Sequence, residues 1–477
     1  MRRWVAAAAA TVLAACGRAP DTGAHMVSEW MHTLYGAIRV ERLSPPVASR
    51  ILVYATTAIY SGLASASSRL PSMVGALNGL DDLPQPQSAR RYDGSLTAIA
   101  AERVVLDSLL REALPTTRAA FTRLADSLTM ARVAAGVGES VQSQSEDLGR
   151  RIGLAIVAWS RTDGFDATRG RLYAPPTGRG LWVNDSPANV YAAQNLSGAT
   201  DFVALDNPAN LLQAGSASDR GLILNRPKRA GLATLPPVNM SGASEPYWGQ
   251  IRPFVLKSWD ECSVPDPPPF STDRASTFYR DAQTVHATRL TLAPDQRAAA
   301  LYWADNAGES GTPPGHWIAI ASQMVSQRRL SAEEAARLMV LTAAAQADAF
   351  IATWGYKYRQ NLTRPRTYIR SIIDSTWEPL IPTPPFPEYP SGHAAQSAAA
   401  AAVMTALLGD TPFDDSTSLS IGHPVRRFRS FRAAAEEAGM SRVYGGIHFP
   451  FGNTGGRALG ECVGAKVVER FQAAQTR

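Results

Sequence analysis

Apolar residues recur at intervals of three and four along much of this chain, the mark of helices with one buried side. The Pro45-Pro46 pair opens the first clear case, with Val47, Ile51, Tyr54, Ala55 and Ala58 at helical spacing between Val47 and Ala66. Proline is tolerated in a first helical turn, so this stretch predicts a core helix. Comparable patterns cover about Leu96 to Leu114, Thr116 to Ala135 and Val141 to Trp159, each closed by glycine, proline or a polar cluster. From Ser160 to about Pro269 the periodicity disappears and only short apolar pieces such as Leu181-Trp182-Val183 remain. A stretch that long is expected to be functional or a connector wrapped over a core. Helical spacing returns at Ser276 to Asp305, Trp317 to Gln327, Ser331 to Lys357, His393 to Leu408, Ser430 to Ala438 and Thr454 to Phe471. Ser331-Ala332-Glu333-Glu334 is a capping sequence for the third of these. The pattern predicts an all-α fold with a long irregular insertion: a tether and first helix over 16–44, a helical part over 45–160, a connector over 161–270 and a helical bundle over 271–477. Residues 17–27, small and polar, read as the tether.

Composition adds limits. A chain of 477 residues with 45% apolar content can bury a large core. Its formal charge of +6 comes from scattered Lys and Arg, with no basic block interleaved with aromatics, so nucleic acid is not an expected partner. Arg2 and Arg3, the apolar run Trp4 to Leu13 and then Leu13-Ala14-Ala15-Cys16 have the layout of a secretory signal. The stretch resembles a bacterial lipoprotein signal, which implies loss of residues 1–15, acylation of Cys16 and an exported, periplasmic or cell-surface protein held by lipid. An ordinary signal peptide with an incidental Cys is the alternative. Without Arg2 and Arg3 the charge of +6 becomes +4. Cys262 and Cys462 then remain and could pair; neither a CxxC nor a Cys/His cluster with zinc spacing is present. No later run is expected to reach membrane-spanning length, since the alanine-rich Ala394 to Leu408 is too short.

The candidate chemistry lies between Trp354 and Gly464. Lys357 and Arg364 are seven residues apart, and Pro365 disfavours helix at Arg364, which places that residue at a helix end. By themselves these cations would equally describe a solvated helix face. Six prolines between Pro379 and Pro390 lead to Ser391-Gly392-His393, which opens an apolar helix. A helix start offers unpaired N–H groups to an oxyanion, although Ser391 could be an N-cap alone. Arg442 and His448 are six apart, with Gly445-Gly446 between them to permit a break and convergence on one centre.

In this order Lys-x6-Arg-Pro, Pro-Ser-Gly-His and Ser-Arg-x5-His are similar to the three-part signature shared by vanadium-dependent haloperoxidases and type 2 phosphatidic acid phosphatases. Trp248-Gly249, Pro253-Phe254, Pro313-Pro314-Gly315-His316-Trp317 and Phe386-Pro387-Glu388-Tyr389 resemble soluble bacterial haloperoxidase-like members. The resemblance implies helical bundles of the vanadium haloperoxidase type, vanadate as cofactor and no haem. It implies that His448 bonds the metal axially, or attacks phosphorus in a phosphatase. Lys357, Arg364, Arg442, the Ser391 hydroxyl and the Gly392 N–H would hold the equatorial oxygens, and His393 would exchange a proton at the apical oxygen. Trp354 and Phe386 match halide-side positions, with core aromatics as the alternative. The implied activity is oxidation of bromide or chloride by hydrogen peroxide, with an organic acceptor and a homodimer both compatible. An acid phosphatase with a phosphohistidine intermediate and a non-catalytic oxyanion-binding lipoprotein are the rivals. The fuller signature, Ser-Arg-x5-His-x3-Asp, places Asp four residues beyond the motif's last His, where this chain has Gly452. That Asp would hydrogen-bond the second nitrogen of His448; Asn453 or a backbone carbonyl is the expected substitute.

Overall fold

The computed structural model describes residues 22–169, 171–185 and 243–475. The signal segment 1–15 and Cys16 lie outside the described residues. Helix α1 (Thr22–Val40) buries Met26, Val27, Trp30, Met31, Leu34 and Ile38, so the expected tether already turns helical at Thr22. That spacing outweighs the small residues around it, which had suggested an unstructured tether. After it come α2 (Pro45–Ala64), α3 (Gly94–Leu109), α4 (Pro115–Ala134), α5 (Glu139–Ser160) and the short α6 (Phe165–Thr168).

The second half holds α7 (Thr277–Leu290), α8 (Pro294–Tyr302), α9 (Thr312–Arg328), α10 (Ala332–Gln360), α11 (Pro365–Ile372) and α12 (Gly392–Leu408). It ends with α13 (Phe431–Tyr444) and α14 (Pro450–Gln475). The stretch expected to be helical from Ser276 to Asp305 is two helices, because Pro294 has no N–H to continue the first. A two-stranded antiparallel ribbon, β1 (Phe413–Asp415) and β2 (Arg426–Phe428), pairs Phe413 with Phe428. The fold is all-α with this one small addition among the described residues.

Helix α2 is buried from Pro46 to Leu63, and α10 from Leu338 to Trp354. Both are long and apolar enough to cross a membrane by length and composition, which corrects the expectation that no later run reaches that size. Their apolar surface is used inside the protein, where 94% of each span is buried. One continuous core runs through α1–α5, α9, α10 and α12–α14, so the expected parts 45–160 and 271–477 share it. A smaller aromatic cluster, including Phe278, Tyr368 and Phe449, sits under α7 and α11.

Three features place the site. Helix α12 is mostly alanine, and a Cβ at Gly460 of α14 would stand 2.0 Å from the Ala395 carbonyl oxygen, so the two helices pack almost backbone to backbone. Asp348 on α10 accepts the N–H groups of Phe254, Val255 and Leu256 at 2.6, 2.8 and 2.8 Å, docking the irregular segment 243–276 on that helix. Cys262 and Cys462 form a disulfide that ties the same segment to α14. Within the described part of the insertion, Trp182 is buried and its N–H meets the Asn361 carbonyl at 2.7 Å, just past the end of α10.

Candidate functional site

Helix α10 ends at Gln360, and Asn361 takes the left-handed conformation (φ 46°) with its N–H on the Lys357 carbonyl at 2.8 Å. That reversal, followed by Pro365 in the first turn of α11, turns Arg364 back beside Lys357, at the helix end where it was expected. Both side chains are fully buried, which removes the solvated-face reading. Lys357 Nζ donates to the carbonyls of Pro387 (2.9 Å) and Glu388 (2.8 Å). Arg364 Nε donates to Phe386 O (2.8 Å) and Nη1 to Ile447 O (2.8 Å). The proline-rich approach therefore delivers a row of inward carbonyls as neutral acceptors, while burial and then Arg364 push the Lys357 pKa well down. Arg442, in the last turn of α13, donates from Nε to Ser441 Oγ (3.1 Å) and from Nη2 to Ala300 O (3.3 Å). That helix runs past the expected end at Ala438 and stops at Tyr444; Gly446 (φ 79°) then turns the chain so that His448 faces the same centre.

His448 is oriented by a residue the sequence reading did not assign. Its Nδ1 lies 2.8 Å from Glu388 Oε1, which also accepts the Phe449 N–H at 3.0 Å. A Cβ at Gly452 would fall 2.1 Å from that same oxygen. The missing Asp at 452 is thus replaced from another segment of the chain: glycine leaves the space and Glu388 fills it. This corrects the expectation for Asn453, whose Nδ2 points to Met440 Sδ at 3.3 Å. Glu388 stood beside the Pro-Ser-Gly-His motif, and a charged residue amid prolines and aromatics opposite a lost carboxylate was the available signal. Burial pushes its carboxyl up to about 7, while Lys357 and Arg364 pull the other way. Burial, followed by Arg364, Lys357 and Arg442, drives the His448 pKa well down. The imidazole is accordingly neutral, with its proton on Nδ1 toward Glu388 and the Nε2 lone pair 3.1 Å from Arg364 Nη1.

Ser391 caps α12 as its alternative reading expected, accepting the Ala394 N–H at 3.4 Å, and its own N–H meets the Gly452 carbonyl at 2.9 Å. Gly392 and His393 follow at the helix start. His393 is partly exposed, its Nε2 is 3.3 Å from Arg442 Nη1, and its ring is hydrogen-bonded to the Trp303 backbone. Burial and Arg442 hold its pKa well below the usual imidazole value. Trp354 and Phe386 pack at 4.9 Å, and Lys357 Nζ and Arg364 Cζ lie 5.1 and 4.9 Å over the Phe386 ring. Trp354, Phe386, Gly392, His393, Arg442 and His448 line one cleft. Lys357, Arg364 and Ser391 stand behind that lining and join it through Phe386, His448 and Gly392.

Comparison with known proteins agrees with this geometry. A family model for the vanadium chloroperoxidase (VCPO) second helical-bundle domain matches residues 337–476. The crystal structure described as the first bacterial vanadium-dependent iodoperoxidase is similar at a TM-score of 0.76 and 30% identity, over 94% of this chain and 96% of that one. The chain belongs to the vanadium haloperoxidase superfamily. A holo-type bacterial vanadium-dependent chloroperoxidase shares the fold of this superfamily member, with a TM-score of 0.60 and 17% identity over 92% of this chain and 94% of that one. The vanadium chloroperoxidase of Curvularia inaequalis is 28% identical over 205 residues, 34% of this chain and 33% of that protein. This last match spans about a third of the fungal relative's length. Within this haloperoxidase-superfamily chain the residues matching the three-part signature converge on a single centre.

Proposed function

We propose that this protein is a vanadate-dependent haloperoxidase, oxidising bromide or chloride with hydrogen peroxide to a hypohalous acid equivalent. The observation that carries the reading is the placement of His448, with Nδ1 2.8 Å from Glu388 Oε1 and Nε2 3.1 Å from Arg364 Nη1, a geometry that suits a neutral ring protonated on Nδ1. That donor set fits a tetrahedral oxyanion bound to an imidazole. His448 Nε2 would hold the metal; Lys357, Arg364, Arg442, the Ser391 hydroxyl and the Gly392 N–H would hold its oxygens. Bound vanadate supplies a Lewis acid that polarises peroxide without changing oxidation state. His393, unprotonated because of burial and Arg442, is placed to take a proton from incoming peroxide and return it to the leaving oxygen. Trp354 and Phe386 form the apolar wall on which a weakly hydrated halide would rest. The disulfide fits the oxidising compartment expected of a lipid-anchored exported protein acylated at Cys16.

The same geometry supports a phosphatase as second reading, because Nε2 of an oriented neutral His448 is a nucleophile as well as a ligand. The non-catalytic reading rested on the missing carboxylate at Gly452, and Glu388 supplies one. Metal-stripped protein assayed with bromide, chloride and iodide, with and without vanadate, separates the readings; iodide enters because the relative at 30% identity is named an iodoperoxidase. Vanadate-dependent halide oxidation, lost in His448→Ala, is the expected result. Phosphomonoester hydrolysis that vanadate only suppresses would overturn the proposal.

A further inference from the structure

Pro313-Pro314-Gly315-His316-Trp317 has no part in the chemistry above, yet its histidine is held between two carboxylates. His316 is buried in α9, with Nδ1 3.1 and 3.0 Å from Asp305 Oδ1 and Oδ2, and Nε2 3.0 Å from Asp415 Oδ2. Each carboxylate is tied in turn. Asp305 Oδ1 accepts from Ser310 Oγ at 3.0 Å, and Asp415 Oδ1 accepts the Thr417 N–H and hydroxyl at 3.0 and 2.6 Å. Burial alone would lower the His316 pKa, but the two carboxylates outweigh it and raise it to about 10.

The face of this imidazolium lies on the indole of Trp303, with centroids 4.5 Å apart and planes at 22°. Trp303 is held at its other end by Nε1 donating to Glu437 Oε1 at 3.0 Å. The Trp303 backbone is one hydrogen-bond partner of the His393 ring, and Arg442 Nη1, 3.3 Å from Nε2, is the other. Asp305, two residues further on, lines the cleft beside His393 and keeps a left-handed backbone (φ 47°), a conformation that the His316 and Ser310 contacts hold in a non-glycine residue.

We propose that His316 is a positioning residue for His393: clamped between Asp305 and Asp415, it fixes Trp303, whose backbone sets the orientation and tautomer of the His393 ring. The rate consequence rests on the haloperoxidase reading; the orientation does not. If the clamp works, wild-type His393 has one fixed tautomer, and His316→Phe, which keeps a stacked ring but severs both carboxylate links, releases it. Should the stranded charges unfold that variant, His316→Phe/Asp415→Asn removes one of them.

The test is the pair of ring ¹⁵N shifts of His393 in metal-free protein labelled at histidine, together with kcat and KM for halide and vanadate affinity. The expected result is a single tautomer in the wild type, averaged shifts in the variant that folds, kcat down by roughly tenfold or more, and halide KM and vanadate affinity within about threefold of wild type. Averaged His393 shifts in the wild type, or unchanged shifts in the folded variant, overturn the proposal whatever the rates do. So does an unaltered kcat alongside altered shifts. A wild type that oxidises no halide defeats the functional reading instead, and the shifts alone then decide the positioning role.

Discussion

Removing the Glu388 carboxylate asks whether His448 is held as its chemistry requires. In Glu388→Ala the His448 Nδ1–H and the Phe449 N–H, 2.8 and 3.0 Å from Oε1, lose their acceptor in a buried place. A buried donor left unpaired costs about 1–3 kcal/mol. Loss of the carboxylate behind a metal-binding imidazole weakens the metal by roughly 10–100-fold, about 1.4–2.7 kcal/mol. Gly452→Asp alone fails for a steric reason, because its Cβ would stand 2.1 Å from Glu388 Oε1 and 2.8 Å from Cδ. Two carboxylates crowded into one buried space also cannot both ionise. The double variant Glu388→Ala/Gly452→Asp lifts the clash and returns a carboxylate to the His448 side. Each single change is therefore expected to damage vanadate binding, and the pair to recover to within about tenfold of the parent, a coupling of 1 kcal/mol or more in order of magnitude. Isothermal titration of vanadate into metal-free protein measures it, with the melting temperature recorded alongside. The reasoning is refuted by a Glu388→Ala protein that binds vanadate as tightly as the parent, or by a double variant no better than the worse single.

Other outcomes follow from the same structure. Cys262→Ser opens a bond between residues 200 apart in sequence, and should lower stability by about 2–5 kcal/mol; a thermal melt unmoved by the change, or by reductant, contradicts this. Asp348→Asn can satisfy the two N–H groups on Oδ2 but turns an amide NH₂ toward the Phe254 N–H, costing about 1–3 kcal/mol in urea unfolding. His316 has its pKa raised in the fold to about 10 from 6.5. Its contribution is fully present below pH 6.5 and lost as pH rises through 10, of order 5 kcal/mol at most. Stability should therefore fall between those pH values in the parent and much less in His316→Phe; equal slopes would show that the clamp does not titrate this way.

How much of this was legible in the sequence depended on whether the determinant was local. Helix periodicity, the Ser331 cap and the break at Pro365 each act within a few residues; the cap and the break are where the pattern placed them, and the helices are found with shifted ends and one division at Pro294. The three signature motifs also announced their residues, because cations, a helix start and two histidines must be supplied whatever the scaffold. Glu388 was not legible in the same way. Its role depends on a void at Gly452, 64 positions further along, and only packing of the proline-rich segment against the start of α14 brings the two together. The Asp305, His316 and Asp415 clamp is likewise assembled from α9, the turn before it and a three-residue strand that no helical pattern predicts. The helix α1 start was missed because a small-residue run says little until a partner covers it.

The contrast between Glu388 and the cations also explains why the site is built mainly from backbone. A buried Lys or Arg paired with a carboxylate is satisfied but neutralised, and it no longer attracts an anion. Lys357 and Arg364 instead donate to the carbonyls of Phe386, Pro387, Glu388 and Ile447, which accept their N–H groups without adding a negative charge. His448 sits in their field: burial first, then Arg364, Lys357 and Arg442, depress its pKa. A neutral imidazole can bind a metal or attack phosphorus; a protonated one can do neither. The same field that would draw in the oxyanion therefore also keeps its ligand in the reactive form. Glu388 completes the arrangement by accepting a hydrogen bond from the Nδ1–H, so that the lone pair is left on the nitrogen facing the cations.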